Sequence, residues 1–319
     1  MRIVVTGGAG FIASNLIPRL LKQGHDVLAV DNLFLGKREH LEPFASNPKF
    51  RFVELDLVGR EPTAELFASF KPERVWHLAA NSDISFGTIH TDVDLKAGTI
   101  VTYNVLDAMR LCGTKEIIFS SSGAMYGEPT VMPTPENYGP LLPISLCATS
   151  KLACEGLITA YAHNYDMKAW IFRFGNIVGP NPTHGAIYDF VLKLAKDPSR
   201  LPVLGDGKQS KPYVYVEDCI DGIEFGQSHS SEEVNYFNLT VDGWTSVAQI
   251  AEATLRAMKL ENTPIVYSGG SRGWRGDIPT VRLDGSKIKK LGWAPKLTSH
   301  EAVDRAAADA VRKYGNLKS

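Results

Sequence analysis

Short apolar runs alternate with amphipathic stretches along the first half of the chain. Arg2–Thr6 (RIVVT), Asp26–Asp31 (DVLAVD), Phe50–Glu54 (FRFVE), Arg74–Leu78 (RVWHL), Glu116–Ser120 (EIIFS) and Ala169–Phe174 (AWIFRF) read as six strands. Phe11–Gln23 sets Ile12, Leu16, Leu20 and Leu21 on related helical faces, and Lys96–Leu111 and Ala148–Tyr165 read as long helices. Pro18 lies inside the first of these and argues against a straight helix. Near-continuous apolar strands separated by helices predict a parallel sheet buried on both faces, a doubly wound α/β fold.

The pattern loosens after Gly175, where Pro180, Pro182, Pro198, Pro202 and Pro212 punctuate shorter elements. The division expected is residues 1–175 as one domain and 176–319 as a smaller α/β lobe. Tyr213–Val216 and Asn235–Leu239 are expected to return to the main sheet, and Ser299–Tyr314 is an Ala-rich helix.

Composition narrows the function classes. Lys and Arg total 34 against 35 Asp and Glu, a net charge of −1 that argues against binding to nucleic acid or anionic membrane mainly by bulk charge and leaves room only for a local basic patch. Cys112, Cys147, Cys154 and Cys219 form no C-x-x-C pair, and the eight histidines show no metal-ligand spacing, so no metal is expected. The chain opens on a strand-like run rather than a signal peptide and holds no apolar run long enough to span a bilayer; the expectation is a cytoplasmic protein.

Candidate chemistry begins at Thr6-Gly7-Gly8-Ala9-Gly10-Phe11-Ile12-Ala13, between the first strand and the first helix. Spaced glycines let the backbone approach a pyrophosphate, and the helix N-terminus at Phe11 and Ile12 offers free N–H groups. Asp31 ends the second strand, 24 residues after Gly7, where a carboxylate accepts both ribose hydroxyls of NAD; Asn32 follows it. Lys37 and Arg38 nearby would suit a 2′-phosphate, which keeps NADP as the alternative. Asp56 and Leu57 follow the third strand, at the adenine edge, and Leu78-Ala79-Ala80 gives the fourth strand a small-residue end that would lie against the cofactor.

Further motifs carry a resemblance. His77-Leu78-Ala79-Ala80, Ser120-Ser121-Ser122-Gly123-Ala124-Met125-Tyr126-Gly127, Arg173-Phe174-Gly175-Asn176-Ile177-Val178-Gly179-Pro180 and Gly205-Asp206-Gly207-Lys208-Gln209 follow the glycine turn in order. With that turn they resemble the extended short-chain dehydrogenase/reductases of the nucleotide-sugar epimerase/dehydratase group, UDP-galactose 4-epimerases above all. The resemblance covers essentially the whole chain. It implies a Rossmann domain holding NAD, with Ser120, Lys151 and Phe174 at the cofactor, and a homodimer packed through the two long helices.

The family's catalytic Y-x-x-x-K is here Cys147-Ala148-Thr149-Ser150-Lys151. The separation of Cys147 from Ser122 is the family's own, so cysteine stands where the catalytic tyrosine is expected. By resemblance, Ser122, Cys147 and Lys151 are the catalytic set. Lys151 should draw the thiol pKa below its usual value of about 8.5. Reach opposes this: a cysteine sulfur ends roughly 3–4 Å short of a tyrosine oxygen. Three readings stay open: Cys147 working through a water, another base among Ser122, Tyr126 and Lys151, or a protein that binds with little turnover. Gly123 and Ala124 stand where dehydratases and decarboxylases of the group carry an acid, which by resemblance favours epimerisation over elimination or decarboxylation.

For the nucleotide sugar, UDP by resemblance, the candidate residues are Ser82, Ser122, Asn176, Val203, Lys211 and Arg275. Asn176, Lys211 and Arg275 are expected at the diphosphate, and the strand at Val203 along the base.

Overall fold

The computed structural model describes residues 1–274 and 276–315. The chain begins β1 (Arg2–Thr6), α1 (Phe11–Lys22), β2 (Asp26–Asp31), β3 (Phe50–Glu54), α2 (Arg60–Phe70), β4 (Arg74–His77) and α3 (Ile84–Ile89). A π-helical turn at Leu95–Ile100 leads into α4 (Val101–Cys112), then β5 (Glu116–Ser122), α5 (Leu146–Tyr165) and β6 (Lys168–Phe174). Next come β7 (Asn176–Val178), α6 (Ala186–Lys196), β8 (Leu201–Val203), β9 (Ser210–Lys211), β10 (Tyr213–Tyr215) and α7 (Val216–Ser228). The chain finishes with β11 (Val234–Leu239), β12 (Thr245–Ser246), α8 (Val247–Met258), β13 (Ile265–Tyr267), α9 (Ser286–Lys290) and α10 (Ser299–Tyr314).

Two compact units emerge. The first comprises Met1–Met125, Pro143–Arg173 and Phe225–Phe237; the second comprises Tyr126–Leu142, Phe174–Glu224 and Asn238–Ser319. A seven-stranded sheet in the order β11-β6-β5-β4-β1-β2-β3 organises the first, and the pairs from β3 through to β5 are parallel. Strand order reverses beside β1, which places a crevice at the carboxyl ends of β1 and β4. The apolar residues of these strands fill the core with α2, α4 and α5, where Phe67, Val105, Leu106 and Ile158 are almost fully buried.

Three sequence expectations are corrected. Lys96–Leu111 is not one α-helix: its first turn is π-helical, and α4 begins at Val101. Gly98 and Ser150 touch here so closely that a Cβ on Gly98 would come within 2.1 Å of the Ser150 hydroxyl. Ser150 Oγ in turn donates to the carbonyl of Asp94 at 2.8 Å, so this turn is fitted to α5. Helix α1 runs through Pro18 without a break. Tyr213–Val216 does not join the main sheet: Tyr213–Tyr215 pairs in parallel with β7 as a separate ribbon, and Val216 already opens α7.

In the second unit, α8 and α10 start in reciprocal capping boxes, Ser246 with Gln249 and Thr298 with Glu301. Helix α10 buries an alanine face of Ala302, Ala306, Ala307 and Ala310. No described helix is long and apolar enough to cross a membrane.

Candidate active site

The glycine turn forms because β1 must end against β4. Gly7 has φ 66°, and a Cβ there would lie 2.9 Å from the Ala79 amide nitrogen. A side chain would therefore be strained and obstructed. Leu78 and Ala79 both donate their amides to Thr6 Oγ1, at 3.1 and 3.2 Å. Helix α1 then starts at Phe11 with Gly10 as its N-cap and no capping side chain, and Phe11 and Ile12 are half-buried. Its first-turn amides suit an anion.

Asp31 is 8% exposed at the end of β2. Its Oδ2 accepts from the Ala9 amide at 3.0 Å and its Oδ1 from the Leu33 amide at 2.7 Å. Burial raises its pKa, and these two amides pull it back down. Each oxygen keeps a lone pair for a hydroxyl donor. Gly36 is required here: a Cβ on it would sit 2.8 Å from both carboxylate oxygens. His40, buried, bonds through Nδ1 to the Ala9 carbonyl at 2.9 Å. Sequence reading missed Gly36 and His40; a glycine five residues beyond the acidic strand end was the available signal for the first.

The remaining cofactor candidates differ in kind. Asn32 and Asp56 are exposed, and each side chain accepts from the amide two residues on. The Leu57 side chain corrects expectation: it is core, 5% exposed, and its carbonyl accepts from Asn104 at 2.9 Å. Leu78, Ala79 and Ala80 are half-buried along the β4 end. Phe174, 9% exposed, is part of the second unit.

Helix α5 presents Cys147 and Lys151 one turn apart. Ser145 caps it by accepting from the Ala148 amide at 3.3 Å. Lys151 Nζ donates to the Ser120 carbonyl at 2.5 Å and lies 4.7 Å from the Phe119 ring centroid. Ser120 Oγ donates to the His77 carbonyl at 3.3 Å. Ser122 is half-buried, and its Oγ accepts from the Ala124 amide at 3.1 Å, leaving its own proton to donate. The Cys147 thiol donates to the Asn81 carbonyl at 3.4 Å.

The expected thiolate is overturned. Burial pushes the Cys147 thiol up to about 11; the Lys151 charge opposes this, while Asp94 and Cys154 add to it. Desolvation of a charged sulfur outweighs one ammonium here. Lys151 is itself lowered by burial. Tyr126 is withdrawn as a base: its hydroxyl donates to Asn238 Oδ1 at 2.8 Å within the second unit.

Behind the site, the protons along one polar chain have a fixed direction. Thr6 Oγ1 already accepts two amides, so its hydroxyl donates to His77 Nδ1 at 2.7 Å. His77 therefore carries its proton on Nε2 and donates to Thr102 Oγ1 at 2.9 Å, and Thr102 donates to Cys154 Sγ at 3.1 Å. Burial, with the Lys151 charge second, lowers the His77 pKa to about 3.

The sugar-nucleotide candidates fare unevenly. Ser82 is exposed after β4. In the second unit, Asn176 pairs with Tyr213 across the β7–β10 ribbon. Val203 is 1% exposed and its carbonyl accepts from Ser268 at 2.9 Å, so it is ladder and core rather than an open edge. Lys211 is not a free cation: its Nζ is 2.8 Å from Asp277 Oδ1, whose partner oxygen accepts from the Gly273 amide. Arg275 lies outside the described residues.

In the first unit, the glycine cradle, the uncapped helix start and the buried carboxylate of Asp31 fit a dinucleotide. Comparisons with known proteins agree. The sequence profile of the NAD dependent epimerase/dehydratase family matches residues 3–239. A UDP-glucose 4-epimerase of Mycolicibacterium smegmatis is 31% identical, over 95% of this chain and 96% of its own. UDP-glucuronic acid decarboxylase 1 of Arabidopsis thaliana is 30% identical, over 97% of this chain and 69% of its own. The crystal structure of UDP-glucose 4-epimerase from Thermotoga maritima with UDP-glucose superposes with a TM-score of 0.87 at 30% identity, covering 98% of this chain and 99% of that one. The chain belongs to the NAD-dependent epimerase/dehydratase family, and its cofactor is NAD.

Proposed function

We propose that the protein is an epimerase of a UDP-sugar, a UDP-hexose or UDP-uronic acid inverted at C4. The observation that carries this reading is the hydrogen-bonded series from Lys151 through Ser120 and His77 to Thr6. It sets the catalytic helix and the glycine turn at the same carboxyl edge of the sheet. Gly123 and Ala124 add no acid for elimination or decarboxylation. Bound NAD supplies the hydride acceptor and donor. Gly7, Gly10, Phe11 and Ile12 hold its diphosphate and Asp31 its ribose. Asp56, Ala79 and Ala80 line its adenine and strand-end side. Ser122 donates to the sugar hydroxyl, and Lys151 contributes a buried positive charge beside it. Cys147 takes the hydroxyl proton through one water, which makes up for its short reach. Asn176 is the remaining candidate for the nucleotide diphosphate, and Lys211, held by Asp277, is no free cation for it.

The test is turnover of a panel of UDP-sugars, with products resolved by NMR and absorbance followed at 340 nm. Interconversion of two epimers without lasting NADH supports the reading. Loss of CO₂ or water would move the protein to the decarboxylases or dehydratases, and binding without product would make it a sugar-nucleotide binding protein.

The rate should respond to pH through Cys147. Its basic form is a minor fraction below its pKa, which burial raises to about 11, and that fraction grows about tenfold per pH unit. Turnover should therefore climb about tenfold per pH unit through the mildly alkaline range. A flat profile from neutral to alkaline pH would remove Cys147 as the base.

The same reading includes a homodimer through α4 and α5. The first unit exposes Leu95, Ile100, Leu111 and Tyr165 on or beside these helices, apolar surface that a partner copy would cover. Light scattering should give twice the 35.0 kDa chain mass; a monomer at micromolar concentration would contradict it. The reading places the enzyme in the cytoplasm, where Cys112, Cys147, Cys154 and Cys219 stay free, as they are in this structure.

A further inference from the structure

A cation suited to a 2′-phosphate stands beside the buried carboxylate of Asp31, and the fold has already given it a partner. Asp31 ends β2 alongside Glu54, the last residue of β3, and the Leu55 amide donates to the Asp31 carbonyl at 3.0 Å. Register partners in neighbouring strands share a face of the sheet, so Ala29, Asp31, Phe52 and Glu54 line one side. The glycine turn packs on that side: a Cβ on Gly8 would come within 2.6 Å of the Ala29 Cβ, and Asp31 holds the Ala9 amide. The loop after β2 returns to the same place. The Lys37 amide and the His40 ring both bond the Ala9 carbonyl, at 3.0 and 2.9 Å, and Arg38 lies between them in the chain. The Arg38 guanidinium forms an ion pair with Glu54 Oε2 and lies 5.4 Å from the Phe52 ring centroid.

The Arg38 and Glu54 side chains are 62% and 53% exposed, so the pair adds little to stability. Its effect is on what the arginine can meet. A ribose 2′-hydroxyl needs only an acceptor, which Asp31 supplies, whereas a 2′-phosphate needs a cation. Asp31 cannot swing aside for a phosphate, because its two oxygens hold the Ala9 and Leu33 amides and the Gly36 backbone packs on them. A phosphate arriving here would meet two carboxylates side by side, with the arginine beside them neutralised by one of the two.

We infer that Glu54 is a specificity-determining residue for the cofactor: by holding Arg38 it withholds the cation that would take a 2′-phosphate, and with Asp31 it admits NAD and refuses NADP. Asp31 makes the hydroxyl welcome, and Glu54 keeps the phosphate from finding a substitute partner. Because the pair is open to solvent, one substitution at residue 54 releases the arginine without disturbing Asp31 or the glycine turn. Lys37 is the other cation of this loop, and the variants below divide the effect between the two.

Cofactor binding alone tests this, so the outcome is independent of which sugar nucleotide is turned over. The full chain is brought to equilibrium by dialysis against equal concentrations of NAD and NADP, and the bound nucleotides are separated and quantified by chromatography. The parent should hold NAD almost exclusively. Glu54→Gln, which keeps the size and removes the charge, should raise the bound NADP-to-NAD ratio about tenfold and leave NAD affinity within about twofold of the parent. The gain should shrink as salt is raised, because the released guanidinium is exposed. Adding Arg38→Ala to Glu54→Gln should return the ratio close to that of the parent, and Arg38→Ala alone should leave it unchanged. Both positions are exposed, so these variants leave the core intact. An unmoved ratio in Glu54→Gln overturns the inference. A gain that survives in the double variant overturns it too, by tracing the effect to relief of repulsion or to Lys37.

Discussion

Cys147→Tyr should raise turnover of the UDP-sugar by about 10²–10⁴-fold, the range typical of a positioned acid–base group, and leave NAD affinity unchanged. Two physical defects of the cysteine set this size. Its sulfur stops roughly 3–4 Å short of where a phenol oxygen would stand, so a water must carry the proton. Burial also pushes its thiol to about 11, above the ordinary phenol value of about 10. Cys147 is partly exposed, so a longer side chain has room to leave the helix surface. Steady-state rates by NMR for parent and variant, with NAD titrated by fluorescence, would check it. Equal rates would mean that another group already serves as the base.

Glu155→Ala should cost about 3–5 kcal/mol of stability. Glu155 is buried on α5, with its Oε1 taking the Ser121 hydroxyl at 2.6 Å and Arg173 Nε at 3.0 Å, and its Oε2 taking Arg173 Nη2 at 2.8 Å. The two side chains are 9% and 8% exposed. Removing the carboxylate takes this counter-charge from a buried guanidinium. Calorimetry should show a melting temperature lower by about 10 °C. Replacing Glu155 and Arg173 together by leucine and methionine should recover most of it, since the penalty lies in the widowed charge rather than in the missing bond. A single substitution with no effect on melting would show that the pair is hydrated in solution.

The strands β1 and β2 coincide with their apolar runs because a strand covered on both faces has no polar position to blur its ends. Helix α2 escaped the sequence reading because only Thr63, Phe67 and Phe70 are buried, too thin a stripe to stand out in REPTAELFASF. Tyr213–Tyr215 has the composition of a core strand, and only tertiary pairing with β7 shows which sheet it serves. The glycine turn and Asp31 were legible because each is defined by local spacing, whereas Lys151 was read from the family resemblance. Asn81 and Asp94 were not: they meet Cys147 only after β4, the π-helical turn and α5 are packed together. The direction of the Cys147 shift was missed for the same reason, since sequence shows a lysine one turn away but not the burial that outweighs it. Lys211 and Asp277 lie 66 residues apart, so the lysine looked like a free cation until the fold paired it.

The chain of protons from Thr6 through His77 to Thr102 and Cys154 has a consequence for regulation. A histidine at the end of the strand that meets the glycine turn would ordinarily make cofactor retention sensitive to acidification. Here the imidazole is locked in one tautomer and its pKa lies at about 3, so it stays uncharged through every pH a cell visits. His77 thus behaves as a rigid neutral strut. On the proposed reading, the hold of the turn on NAD would be insulated from proton concentration, and the alkaline response of the reaction would fall to Cys147.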